Sequence, residues 1–210
     1  MDSVISCRRC PRLVSFTQSV QQQYPDYYCA PVASFGDPQA RLLIVGLAPG
    51  MHGANASGRP FTGDASGDLL FRTLYKFGFA SQPISTSIDD GMVLNSCRIT
   101  NAVKCLPPQN KPRGGEINQC NSFLTQELES LPVSAIVVAL GAVAHKAILK
   151  AFNLTQSEYR FAHHARHQLP AGLRLYDSYH CSRYNTQTRR LTVDMFEQLF
   201  ADIRQRLNHA

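Results

Sequence analysis

Short apolar runs alternate with amphipathic stretches along this chain. Residues 41–46, RLLIVG, have the pattern of a buried strand and run straight into a loop of glycine and proline. Residues 64–77 place Leu69, Leu70, Leu74 and Phe77 at helical spacing, with Thr62 and Asp64 as candidate caps. The same alternation continues with a strand over 97–103, a helix over 116–131 and a strand over 134–140. A helix from Gly141 to about residue 151 and a strand over 173–179 follow, and an amphipathic helix over 192–207 ends the pattern. Strands alternating with helices predict a mostly parallel sheet covered on both faces, in a single domain spanning 1–210. Residues 1–40 and 80–95 have weak periodicity and read as irregular or peripheral.

Ligands of such sheets bind beyond the carboxyl ends of the strands. Three segments rich in hydrogen-bonding side chains fall there, at 46–64, 101–105 and 180–185. The first carries glycines at 46, 50 and 53. No lysine follows them, so this is not a phosphate-binding P-loop, and the first spacing is wrong for a dinucleotide fingerprint. A long polar loop at a strand's carboxyl end is more often functional than structural. The cluster of His163, His164 and His167 has no acidic or cysteine neighbour in sequence and reads as a solvated or positioning segment.

Composition narrows the class. With 210 residues, 44% of them hydrophobic and 17% charged, the chain can build a core without disulfide staples and is not disordered throughout. No apolar run is long enough to span a membrane, and the N-terminus lacks the apolar stretch of a signal peptide, so a cytoplasmic location is expected. The net charge of +6 suits a polyanionic partner. Seven cysteines in that setting point to metal, redox or catalytic chemistry. Cys7 and Cys10 form C-x2-C, and Cys105 and Cys120 make a four-thiolate site plausible, for which zinc and an iron–sulfur cluster fit equally. Cys29 and Cys97 read as small apolar packing residues.

Three segments together carry a resemblance: GLAPGMHGANASGRPFTGDASG (46–67), ITNAVKCLPPQNKP (99–112) and SYHCSRYNTQT (178–188), with RLT (190–192) after them. With CRRC (7–10) and Cys120, the chain resembles family 5 of the uracil-DNA glycosylase superfamily over essentially its whole length. The resemblance implies a three-layer α/β/α sandwich around a four-stranded parallel sheet. It also implies a 4Fe–4S cluster on Cys7, Cys10, Cys105 and Cys120. The activity implied is hydrolysis of the N-glycosidic bond of a deaminated base flipped out of DNA: uracil, with hypoxanthine and xanthine as further candidates. The alternatives are a family 4-like or alkylated-base enzyme of the same superfamily, or a non-catalytic DNA-binding module with a four-cysteine metal site.

Roles carry over by position. The resemblance makes Asp64 the acid that favours hydrolysis, and Asn101 a contact to the base. His180 faces the base's carbonyl oxygen, and Asn185 is implicated in activity or DNA contact. Phe61 stacks on the base, and Gly46, Ala48 and Gly50 line the pocket with backbone. Arg183, Arg189 and Arg190 beside the last motif suit phosphate contacts. A monomer is expected. The chain departs from the family pattern at Met51, where alanine is usual, and at Cys181, where proline is frequent. Arg189 stands where the family often has the glycine of T-G-R-L-T.

Overall fold

A computed structural model describes residues 4–209, so the first three residues of the N-terminal segment lie outside the described part. Its strands are β1 (Phe35–Gly36), β2 (Leu42–Gly46), β3 (Cys97–Asn101), β4 (Ile136–Leu140), β5 (Arg166–Gln168) and β6 (Arg174–Ser178). They form one sheet in the order β1-β3-β2-β4-β6-β5. The four central strands are parallel, as expected. Two short strands not anticipated from sequence, β1 and β5, close the edges in antiparallel pairing. Each is only two or three residues long, too short for a period-2 signal.

The helices are α1 (Pro11–Gln23), α2 (Ala54–Ser57), α3 (Ala65–Lys76), α4 (Gly114–Glu129), α5 (Ala142–Ala151), α6 (Arg183–Gln187) and α7 (Val193–Asn208). Along β2, residues alternate between the two faces. Leu42 and Ile44 pack with Leu70 and Leu74 of α3 and Phe196, Leu199 and Ile203 of α7. Leu43 and Val45 pack with Leu124 and Leu128 of α4 and Ala144 and Ile148 of α5. Burial on both faces is why these strands read as continuous apolar runs. The result is the expected α/β/α sandwich.

Two expectations need correction. The region 1–40 is not irregular throughout: α1 spans 13 residues, opens on Pro11 and buries Leu13, Thr17 and Val20. Its buried row is narrow and contains a threonine, which weakens the helical signal. The segment 80–95 lacks helices and has one isolated bridge, Ala80 to Leu94, but it is not peripheral. Its Asp90 carboxylate accepts from the backbone of Thr86, Ser87 and Met92 and from the Arg59 guanidinium at 2.6 Å. Arg59 also donates to Ser85 Oγ and the Ile88 carbonyl, so this segment braces the 46–64 loop from behind.

Candidate active site

The carboxyl ends of β2, β3 and β6 bring the three polar segments to one cavity of about 260 Å³. Ala48, Gly50, Phe61, Asp64, Asn101 and His180 all line it. Ser66, Asn110 and Ser182 line it too and were not singled out in the sequence, since lone small polar residues carry no spacing signal. Gly46 lies just behind. A Cβ there would come within 2.4 Å of Asn101 Oδ1 and 2.6 Å of Phe61 Cζ, so only glycine lets both side chains close on the pocket.

Asp64 is the N-cap of α3, and its Oδ1 accepts from Ser66 N at 2.9 Å and Gly67 N at 3.1 Å. Its Oδ2 lies over Gly50 and Gly53, where added Cβ atoms would approach to 3.1 and 2.4 Å. One carboxylate oxygen therefore fixes the side chain while the other stays with the loop glycines.

Phe61 is buried at a left-handed φ of 57°. Its ring runs nearly parallel to His180, with centroids 6.1 Å apart and planes at 24°. Asn101 is 3% exposed, and its Oδ1 has no hydrogen-bond partner. His180 Nδ1 is likewise buried without one. Unpaired buried polar atoms are costly in a folded protein, and their convergence on one cavity marks a place for a ligand. Burial pushes His180 below the ordinary histidine range, and the nearby Asp64 charge partly offsets that.

Asn185 does not point into the cavity. Its Nδ2 donates to the His180 carbonyl at 2.8 Å. Arg183, Arg189 and Arg190 are exposed beside it, and the Arg190 guanidinium lies over the Tyr179 ring at 4.7 Å.

Cys7, Cys10, Cys105 and Cys120 line a second, smaller cavity between α1, α4 and the segment after β3. Arg12 ties α1 to α4 there through a paired contact with Glu116, at 2.7 Å for both nitrogens. Burial pushes the Cys105 thiol up to about 12, and Cys120, Cys7 and Cys10 add to the rise. Lys104 N donates to Cys120 Sγ at 3.3 Å. Four sulfurs gathered round one cavity, with an N–H aimed at one of them, are a donor set for a cationic centre.

A sequence model of the uracil DNA glycosylase superfamily matches residues 33–204. The chain belongs to that superfamily. It is 44% identical over 207 residues to a type-5 uracil-DNA glycosylase of Thermus thermophilus, covering 96% of this chain and 94% of the relative. It is 42% identical to a type-5 uracil-DNA glycosylase of Pyrobaculum aerophilum, covering 95% and 88%. A type-4 uracil-DNA glycosylase of Archaeoglobus fulgidus matches at 29% over 72% of this chain and 62% of its own length. The crystal structure of SMUG2 from Pedobacter heparinus superposes with a TM-score of 0.50 at 15% identity, covering 93% of this chain and 85% of that one, a likeness of fold.

Within this uracil-DNA glycosylase fold the departures take physical form. Cys181 is fully buried, and burial pushes its thiol far up, so it packs and is no nucleophile. Cys97 is buried in the same way, as expected. Cys29 is not a simple packing residue: it is half-buried at a φ of 45°, and its Sγ accepts from Asn55 Nδ2 at 3.4 Å. Arg189 has a φ of 55°, the left-handed conformation that glycine adopts without strain.

Proposed function

We propose that this chain removes uracil from DNA by hydrolysing the N-glycosidic bond, the step that opens base excision repair. The observation that carries the reading is the single cavity shared by Phe61, Asn101, His180 and Asp64. A base inside a duplex must first leave the stack, which costs a few kcal/mol and least for a mispaired base. Stacking on Phe61 returns about 1–3 kcal/mol. The Asn101 amide offers an acceptor for the N3–H of uracil and a donor for its O4, which thymine shares but cytosine reverses. As the bond breaks, negative charge grows on the base and positive charge on the sugar. A ring N–H of His180 donates to the base's O2, and the Asp64 carboxylate steadies the sugar cation and orients water for attack at C1′. Water adds its oxygen to C1′, and its proton leaves with the base.

Hypoxanthine and xanthine present a similar N–H and C=O edge and are the further substrates of this reading. Arg183, Arg189 and Arg190 hold phosphates near the flipped nucleotide. Cys7, Cys10, Cys105 and Cys120 hold a 4Fe–4S cluster that ties α1 to α4 and takes no part in bond breaking. The chain works as a monomer in the cytoplasm. Among the described residues no helix is long and apolar enough to cross a membrane.

The test is release of free base from oligonucleotides that each carry one lesion. Uracil should be released, and Asp64→Ala or His180→Ala should slow release by orders of magnitude. DNA binding with no base released would leave only a binding module. For the cysteines, anaerobically purified protein should be brown, with iron and acid-labile sulfide in equal amounts. A colourless protein with stoichiometric zinc would overturn the cluster.

A further inference from the structure

His163, His164 and His167 have no acidic neighbour in sequence, yet the fold brings carboxylates to them. His164 Nε2 meets Asp202 at 2.6 Å, a half-exposed surface pair. His167 is different. On β5 it lies beside Asp177 of β6 and His145 of α5, and one potential ligand atom from each lies within 4.8 Å of the others. We propose that His145, His167 and Asp177 bind a divalent transition-metal ion, with zinc the best match.

Three observations point to a metal. The first is the nitrogen assignment. His145 Nε2 lies 2.9 Å from the Tyr159 carbonyl oxygen, which only accepts, so Nε2 carries hydrogen. In the neutral ring that leaves the lone pair of Nδ1 facing Asp177 Oδ1 at 2.8 Å. Two lone pairs at that distance call for a cation between them, either a metal ion or the proton of an imidazolium. A ligating histidine that donates its other N–H to a carbonyl is also the usual outer arrangement of a metal site.

The second is charge. Asp177 is fully buried and His145 is 2% exposed. No lysine or arginine pairs with Asp177 among the described residues, and its Oδ2 meets only His167 Nε2, at 3.2 Å. The two histidines, protonated or metal-bound, are then the source of compensating charge for this buried carboxylate. The third is geometry. Ligands bound about 2.0–2.1 Å from a tetrahedral zinc stand roughly 3.3 Å apart; the His167–Asp177 separation of 3.2 Å matches this, and the His145–Asp177 separation of 2.8 Å would open slightly around the ion. Two imidazoles and one carboxylate suit zinc and its neighbours rather than magnesium or calcium.

The site shares no residue with the cysteine cavity or the base pocket. It pins the edge strand β5 and helix α5 to β6, three residues before His180. A metal here is a brace that holds the strand delivering His180.

The test uses the whole protein, stripped with chelator and titrated with Zn²⁺ or Co²⁺. Thermal unfolding should shift upward with Zn²⁺. Cobalt should bind at one site whose spectrum has ligand-field bands of nitrogen and oxygen ligation, without a thiolate charge-transfer band. His167→Ala, at a half-buried edge position, should lose that spectrum and one metal equivalent while keeping the metal held by the cysteines. Cobalt bound through thiolate alone, or equal metal content in wild type and His167→Ala, would overturn the proposal and show a hydrogen-bonded His–Asp–His network instead. Neither readout depends on glycosylase activity.

Discussion

The side-chain amide of Asn185 donates to the main-chain carbonyl of His180 across 2.8 Å, and α6 carries that amide away from the base pocket. Ser182 caps the same helix, its Oγ accepting from Asn185 N. This bond suits Asn185 to position His180. Asn185→Ala removes one neutral hydrogen bond, worth about 1 kcal/mol, and excision should fall roughly fivefold with an unchanged pH profile. A loss as deep as that of His180→Ala in single-turnover assays would place Asn185 in the chemistry after all.

The two oxygens of Asp64 are placed differently, one on the α3 amides and one over the loop glycines, and substitutions separate the cap from the proposed chemistry. Asparagine retains a side-chain oxygen for the Ser66 and Gly67 amides but loses the charge. Asp64→Asn should stay near wild-type stability and lose excision by orders of magnitude. Asp64→Ala should lose activity and also about 0.5–2 kcal/mol of stability with the cap. Calorimetry beside the excision assay decides it: equal melting temperatures for both variants would remove the capping role.

His180 is held below the ordinary histidine range by burial, with Asp64 pulling it partly back. The ring is then neutral at pH 7, and an NMR titration should place its midpoint below about 6.5. Removing the Asp64 charge should lower the midpoint further. The sign for stability follows. The unfolded chain takes up the proton first as pH falls, so this group's contribution is present above about pH 6.5 and is lost as pH drops toward its folded midpoint. A midpoint above the ordinary value, or one that Asp64→Asn raises, contradicts the burial argument.

Much of this site was legible before the fold. The strand pattern placed its three segments at strand ends, and motif resemblance named Asp64, Phe61, Asn101 and His180. What stayed hidden depends on contacts distant in sequence. Arg59 and Asp90 are 31 positions apart and meet only because 80–95 folds behind the loop. Asp177 looked like one polar residue in a strand, and His145 like one in a helix. Helix α1 escaped notice because its buried row is three residues wide. The direction of Asn185 was also out of reach, since motif position gives a residue's place and not where its amide points.

Arg189 occupies a left-handed position, which costs an L-residue roughly 1–2 kcal/mol. Arg189→Gly should therefore stabilise the protein by about 1 kcal/mol and raise its melting temperature by roughly 2–4 °C. The same change removes a cation from the exposed loop after α6. If Arg189 contacts phosphate, the dependence of log affinity on log salt should flatten by about 0.9. Higher stability with an unchanged salt slope would assign the arginine no phosphate. Lower stability would show that contacts of the side chain outweigh the backbone strain.

The Arg59–Asp90 pair is the brace behind the 46–64 loop, both side chains nearly buried and 2.6 Å apart. Burial alone would raise the Asp90 carboxyl. The Arg59 guanidinium and the amides of Met92, Thr86 and Ser87 more than reverse this and hold it far below the usual carboxylate range. A depressed carboxylate stabilises the fold above its unfolded pKa, and that contribution fades as pH falls from about 4 toward the folded value. Asp90→Ala leaves Arg59 buried without its partner, a change that costs about 3–5 kcal/mol in comparable pairs. Because Arg59 is two residues from Phe61, the variant should also loosen the stacking ring and raise KM for uracil-containing DNA more than it lowers kcat. Asp90→Asn keeps one side-chain oxygen to accept from the backbone amides and should fall between wild type and alanine. Denaturation of the three proteins at pH 7 and pH 3 checks the pair: the gap between wild type and Asp90→Asn should narrow at the lower pH. A gap that is constant across pH would mean that the carboxylate charge is not what holds the loop.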